Sequence, residues 1–597
     1  MANEQFSNSL LVEVEGSPLP ADVATLLNVA YVDDSRNLPD LFVLRFRDPA
    51  RIVLTKAKIQ IGSKINLKVQ AGDAGAPLLL LAGEVTAMEV EIDSHGSVTE
   101  VRGMDLSHRL FRGRTVAAYA NMTAAEVVRK VAQRAGLTPG SIDIPEGGRG
   151  GQDHQISQEN LTDWEFLTRL ADITGAEVSM NEGKLDFVVP KPPDAAPDAG
   201  ARARQNPLVL EAGTNLSALR AGLTAAEQVA SVEVRGWDFE AKQAVTATAP
   251  AKAANVEAGT TPAALAGKFG NHTFLGSDVP YRSHADADAA AKSLAGQIAG
   301  GFAEIEGVAK GNVKLRAGAQ VALSNVGQPF EGKYTLTSTR HLFSQDAGYT
   351  TAFTVSGRQE RSLYGLTAGR TGAGGSRFSV NGLAPAVVTD IRDPKNMGRV
   401  KLKFPWLADD YQTDWARTAQ ISAGNNYGAV MLPEVGDEVL VGFEQGDFDA
   451  PYVLAGLYNG QDKPPKPGFD MVDGGAGKVN GRVFFSRTGH KLVFAETPSG
   501  DDGITLATGD GKYKLILDKK GTKVTVHSDG TVLVEGKQGV TVDAGTGPLE
   551  LKGQSVKVTS QSTLDVQGQS VSVNGQGTAE FKSSGVVTVQ GSLVKIN

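Results

Sequence analysis

The sequence predicts a mainly β chain of several domains: β-barrel domains with short helices, a small OB-fold barrel, and a C-terminal intertwined triple-stranded β-helix, or β-prism. Three observations predict it. Glycine supplies 70 of 597 residues against 22 Phe, 11 Tyr and 4 Trp, which implies many tight corners and little bulky packing. Short alternating apolar segments outnumber helical patterns as far as Gly460. Beyond Thr522, apolar pairs recur at an interval of about eight residues.

Compositional breaks at 191–207, 367–376 and 462–481 set the domain order. A first region, 1–366, holds two β-barrel domains with helical insertions and a loop at 191–207. A linker at 367–379, an OB-fold domain at 380–461, a linker at 462–485 and the β-prism at 486–597 follow. In the first region Leu41 to Phe46, Ile59 to Ile61, Ile65 to Val69, Gly83 to Ile92 and Val98 to Arg102 alternate as barrel strands do. Thr123-Ala-Ala-Glu126 and Thr162-Asp-Trp-Glu165 are capping boxes that open apolar helical stripes, which Gly136 and Gly175 are placed to end. Strand patterns return at Val232 to Val234, Ala319 to Leu323, Tyr334 to Thr339 and Thr351 to Val355, around an Ala-rich helix from Asp286 to Ile298. Ala386 to Ile391, Gly398 to Phe404, Trp415 to Ile421, Val439 to Phe443 and Tyr452 to Leu457 supply the five strands of an OB barrel.

The last segment repeats as Val524/Val526, Val532/Val534, Val540/Val542, Leu549/Leu551, Val556/Val558, Leu564/Val566, Val571/Val573, Ala579/Phe581, Val587/Val589 and Val594/Ile596. Successive first members stand 8, 8, 9, 7, 8, 7, 8, 8 and 7 residues apart. A strand this short is not stable alone in water. A single-chain solenoid with three strands per coil would reach only some three coils of about 24 residues, a squat alternative. Three chains around one axis would instead form a long prism without free edges along its length. The Val and Leu pairs from Val524 to Val573, with Val587 and Val589, are expected to line its core. At the end of the sequence, three copies of Leu593, Val594, Ile596 and Asn597 would form a small apolar platform, expected to bind a capping partner.

Composition narrows the function classes. There is no cysteine, which excludes disulfides, thiolate metal sites and thiol nucleophiles. With 59 basic and 67 acidic residues the net charge is -8, giving no general attraction to phosphate backbones or anionic lipid. No Sec signal peptide is expected from Met1-Ala-Asn-Glu-Gln5, and the longest aliphatic run, Leu78 to Ala82, is too short for a membrane span.

Gly398-Arg-Val-Lys-Leu-Lys-Phe-Pro-Trp406, Trp415-Ala-Arg417, Leu432-Pro-Glu-Val-Gly-Asp-Glu-Val-Leu-Val-Gly-Phe443, Gly446-Asp447, Asp449-Ala-Pro451 and Gly456-Leu-Tyr-Asn459 closely resemble the OB domain of the valine-glycine repeat protein G (VgrG) family. The likeness extends to the spikes of contractile phage tails and phage-like extracellular injection systems, most of all the extracellular type. Pro39 to Phe42, Arg47 to Pro49, Gly83 to Thr86, Arg102 to Asp105 and His108 to Leu110 resemble the hub of those families. The resemblance implies a homotrimeric, non-enzymatic, membrane-piercing central spike. Inner tube and baseplate proteins would sit at the hub, and a tip protein with proline-alanine-alanine-arginine repeats on the prism. Effector cargo is a further possible partner, and the target envelope would be met mechanically. The resemblance also implies assembly in the bacterial cytoplasm into a phage tail-like particle, released or fired into target cells.

Alternatives are a trimeric receptor- or glycan-binding tail fibre and a cell-wall hydrolase of a phage tail. The fibre needs exposed aromatics on the prism, and in its repeat from Thr522 on only Phe581 stands, with inward parity. The hydrolase needs a catalytic insertion, for which too few residues separate Gly460 from the repeat. Nucleic-acid binding by the OB domain is disfavoured by six Lys or Arg against eleven Asp or Glu between Val380 and Gln461. The eight histidines, at 95, 108, 154, 272, 284, 341, 490 and 527, form no ligand motif. The glycine runs 147–151 and 372–375 lack the Lys-Ser/Thr of a phosphate loop, and Asp409/Asp410 and Asp501/Asp502 read as loop acids. No catalytic residue, metal or cofactor is expected.

Overall fold

The computed structural model describes residues 8–596 apart from 37, 72–75, 95, 145–154, 182, 199, 347, 358–379, 381 and 499. The residues read for a signal peptide, the 367–379 linker, both glycine runs, His95, His154 and Asn597 therefore fall, wholly or in part, outside the described residues. The chain forms two compact units, Met1–Pro464 and Pro465–Asn597.

In the first unit strands from both expected barrels join one eleven-stranded antiparallel sheet, while Ser231–Asp238 and Gln320–Ser324 belong to two smaller sheets. The joint is the pairing of Ser338–Ser344 with Leu27–Ser35, in register from Ser338 opposite Ser35 to Ser344 opposite Val29. On one side of that joint Leu41–Arg47, Gly96–Asp105, Leu78–Asp93 and Lys64–Ala71 enclose a core of Phe42, Leu44, Phe46, Ile65, Leu67 and Val101. On the other side Gly348–Val355, Ala303–Lys310 and Leu216–Leu223 cover Phe302, Ile305, Phe353 and Tyr334. Two expected strands differ. Ile59 to Ile61 forms a turn after the helix Val53–Lys56, because only Ile59 has a core to enter while Ile61 stays exposed. The Tyr334 to Thr339 segment is broken into Gly332–Thr335 and Ser338–Ser344, which belong to different sheets.

Both capping boxes form. The Glu126 backbone N–H donates to Thr123 Oγ1 at 3.3 Å, and that of Glu165 to Thr162 Oγ1 at 3.1 Å, opening Ala124–Arg134 and Asp163–Thr174. Gly175, at φ 75°, ends the second helix in the left-handed conformation that glycine adopts without penalty. The helices bury Val127, Val128, Val131, Trp164, Phe166 and Leu167 together. The Ala-rich helix spans His284–Gly300.

The hub-like sequence motifs turn out to be buried polar joints. The Asp40 backbone N–H donates to Asp105 at 2.9 Å, and Asp40 accepts from the Ser35 N–H at 3.1 Å. Arg316, from the other half of the region, pairs with Asp34 and lies 3.7 Å from Asp40. Burial, then the neighbouring Asp34 and Asp105, holds the Asp40 carboxyl well above the usual range. Glu84 accepts from His108 at 3.0 Å and pairs with Arg109, while Asp48 accepts from the Ile52 and Val53 N–H groups and from Thr99.

The OB domain is a five-stranded sheet in the order Lys401–Lys403, Leu383–Asp390, Glu438–Phe443, Pro451–Gly456, Arg417–Thr418. Phe404, Tyr411, Phe443 and Phe448 pack at its centre, with ring centroids 5.4–6.1 Å from Phe404. Tyr411 also reaches out of the domain, its Oη 2.9 Å from Ser157 Oγ and 3.2 Å from Gln155. Arg282 pairs with Glu444 at 3.4 Å and Lys395 with Glu240 at 2.7 Å across the same seam.

In the second unit, Gly481–Phe485, Lys491–Glu496, Asp502–Ala507, Tyr513–Asp518 and Lys523–Ser528 form a five-stranded antiparallel meander. Among the described residues, none after Ser528 belongs to a strand.

Candidate functional site

Alternation in the repeat sets charge between apolar residues: Glu550 lies between Leu549 and Leu551, Lys557 between Val556 and Val558, Asp565 between Leu564 and Val566. Side chains two apart share a face in extended chain, so one face is aliphatic and the other charged. Neighbours on the outer face pair locally, as Lys552 does with Glu550 at 2.6 Å. The corners close on themselves: the Gly545 N–H donates to Asp543 at 2.7 Å, the Gly547 N–H to the Ala544 carbonyl at 2.9 Å, and Ser560 Oγ to the Thr563 carbonyl at 2.8 Å. The turns are thus formed within the chain while no ladder joins the segments between them.

Every described residue from Asp529 to Ile596 is exposed. Among the pairs, exposure runs from 48% at Val594 to 91% at Ile596. Val532, Val534, Val540, Val542, Leu549, Leu551, Val556, Val558, Leu564, Val566, Val571, Val573, Val587 and Val589 stand in a run outside any strand, each exposed, and the chain does not bury them. Leu593, Val594 and Ile596 are likewise exposed at its end. Val524 and Val526 are placed differently. They sit in Lys523–Ser528, opposite Leu517 and Leu515 in the meander.

That register exposes residues the sequence reading missed. Leu492 opposes Phe484 and Leu506, Leu506 opposes Leu515, and Leu515 opposes Val526, so one row of the sheet is apolar from edge to edge. A second row runs through Phe494, Ile504, Leu517 and Val524. Phe484, Leu506, Leu515 and Leu517 remain substantially exposed on this face. The signal was present as the alternation in Tyr513-Lys-Leu-Ile-Leu-Asp518, but its shared face with Val524 requires the strand pairing.

Other clusters read as structure. The cavity of about 440 Å³ at the seam of the OB domain carries Trp415, Phe239, Arg282, Lys395 and Arg399, yet these three cations have acidic partners, including Asp393 on Arg399 at 2.6 Å. Among the described residues no group of three or more His, Cys, Asp or Glu is placed to hold a metal ion. Asp409 lies 3.5 Å from Lys403 and Asp502 pairs with Lys519 at 2.8 Å. Among the described residues no helix is long and apolar enough to cross a membrane.

The OB strands coincide with residues 384–458, which match the family described as the type VI secretion system/phage-baseplate injector OB domain. Over 72 residues, 11% of this chain and 9% of the relative, the sequence is 46% identical to the type VI secretion system spike protein VgrG5 of Pseudomonas aeruginosa. In its OB domain the chain is VgrG-like. Spike protein VgrG3 of Vibrio cholerae is 28% identical over 152 residues, 25% of this chain and 14% of that one. The chain therefore spans about a tenth of the length of the curated VgrG relatives it matches. A chain of the Francisella PdpA-VgrG complex is alike in fold over 87% of this chain and 88% of its own, with a TM-score of 0.50 and 10% identity. The family described as the Alg8 N-terminal domain matches residues 56–345, in the first region.

Proposed function

We propose that the chain is the central spike of a contractile injection system, homotrimeric through its C-terminal repeat and acting by transmitting force rather than by turnover. One observation carries the reading. From Asp529 to Ile596 the chain has formed corners, exposes its aliphatic pairs and has no ladder of its own, whereas the meander beside it in sequence is fully paired. Aliphatic burial is worth roughly 1.5 to 3 kcal/mol per Val or Leu side chain, so such a face is driven to associate. Identical copies satisfy it best, because each brings the same spacing and the same inward rows. The single-chain solenoid would require a ladder between segments about 24 residues apart, and the described residues contain none.

In this reading the prism pierces the target envelope, and Leu593, Val594, Ile596 and Asn597 seat a tip protein. The first region contacts the inner tube and baseplate, and effectors travel as cargo on a phage tail-like particle assembled in the cytoplasm. VgrG spike proteins among the relatives support the baseplate role. Light scattering on the full chain tests the core of it. Three chains of 62.5 kDa give about 190 kDa, and a monodisperse 62.5 kDa species at micromolar concentration would refute the proposal.

A further inference from the structure

A repeat is a poor ruler. Six of the ten pairs are Val-x-Val, and slipping one chain by eight residues sets Val524 on Val532, Val532 on Val540, Val556 on Leu564, Val571 on Ala579 and Ala579 on Val587. The steps of seven and nine oppose that slip only at the remaining pairs. Register in β structure is specified by which face is buried, and a nearly uniform aliphatic row specifies it weakly. Something without the repeat has to align the chains.

The meander has the required properties. It is paired strand by strand within one chain from Gly481 to Ser528, so it exists before any partner arrives. Its apolar face is irregular, with Phe484 at one edge, Leu506, Leu515 and Leu517 in the middle, and Val524 and Val526 at the other edge. These side chains are 39–66% exposed, unlike Val493 and Ala495 of the same sheet, which are buried. The last strand also carries the first repeat pair, so the face runs without interruption into the repeat row.

We infer that the meander is the register-setting element of the assembly: its apolar face packs against the same face of two further copies of this chain, and the repeats then wind together from Val532 onward. The inference rests on the trimeric reading and adds an order of events to it. Local strand pairing precedes association, and association of an irregular face precedes that of the repetitive one. Aromatic and branched side chains of unequal size interlock in few ways, which supplies the discrimination that Val against Val lacks.

The natural chain has no cysteine, so introduced thiols report register directly. Full-length V571C and A579C chains are co-expressed, oxidised and mapped by mass spectrometry. In aligned trimers only like positions link, 571 to 571 and 579 to 579, whereas a slip of eight residues joins 571 to 579. With the meander intact, like-position links dominate. In an L515D/L517D background, the 571-to-579 link rises by about tenfold relative to them, or trimers fail to form although every repeat is present. A second variant lacking residues 532–555 removes three repeat pairs but leaves the meander, and it stays trimeric with like-position links. Aligned trimers in the L515D/L517D chain, or slipped ones in the deletion, would overturn the inference. A monomeric unaltered chain would instead overturn the trimer itself.

Discussion

Single buried charges set how this protein responds to acid. Asp393 accepts from Arg399 and from the Lys395, Met397 and Arg399 backbone N–H groups. Although burial alone would raise its carboxyl, those donors hold it far below the usual range. A depressed carboxylate contributes stability that is present above the unfolded value of about 4 and is lost as pH falls through the folded one. D393A leaves Arg399 buried and unpaired, and is expected to cost about 3 kcal/mol in OB-domain stability at pH 7, read by denaturant melts. His341 works at a higher pH. Burial first, then the nearby Arg316, lowers its ring to about 3 from 6.5, and the neutral ring lies 2.8 Å from Tyr349 Oη. The unfolded ring takes up a proton near 6.5, so stability of the first region falls as pH drops from about 6.5 towards 3, by up to about 4 kcal/mol. Asp40, raised by burial, acts with the opposite sign and gains stability as it is protonated. Melting temperatures of H341Q and the unaltered chain between pH 7 and 4 separate the two: the variant should show the flatter loss.

Helices and strands were legible where one face of the element alone decides its place. The boxes at Thr123 and Thr162 were readable because both partners of each cap lie three residues apart. T162A should therefore cost about 1 kcal/mol, measurable as a lower denaturation midpoint of the first unit, and T162S should recover most of it. The five OB strands were readable from alternation, and the repeat from its spacing. Ile59 to Ile61 misled because three residues of alternation cannot tell a strand from a turn with one buried end. The joint between Ser338–Ser344 and Leu27–Ser35, and the contact of Tyr411 with Ser157, join residues more than 250 positions apart, and no local pattern encodes such a pairing. The apolar face of the meander fell between these cases. Its residues alternate visibly, but alternation does not reveal that Phe484, Leu506, Leu515 and Val526 belong to one row.

For the whole molecule, the two units should lose structure by different laws. The first unit has its own cores and ladders, so its opening is governed by contacts within one chain. The run from Asp529 to Ile596 has formed corners but no ladder, so in a trimer its unfolding and its dissociation would be a single event. Hydrogen exchange distinguishes these cases, because amides in a paired ladder are protected and amides in exposed extended chain are not. A V556D/V571D chain would place three carboxylates at two levels of an apolar prism, where unpaired charge costs several kcal/mol, and is expected to be monomeric. In that monomer, amides of 529–596 should exchange within seconds while those of Phe42, Leu44 and Val101 stay protected. In the unaltered chain, if it is the proposed trimer, both sets should be slow, and protection of the repeat should fall on dilution while that of the first unit does not. Slow exchange of the repeat in a verified monomer would mean that one chain can satisfy its own backbone there, and the case for a shared shaft would fail.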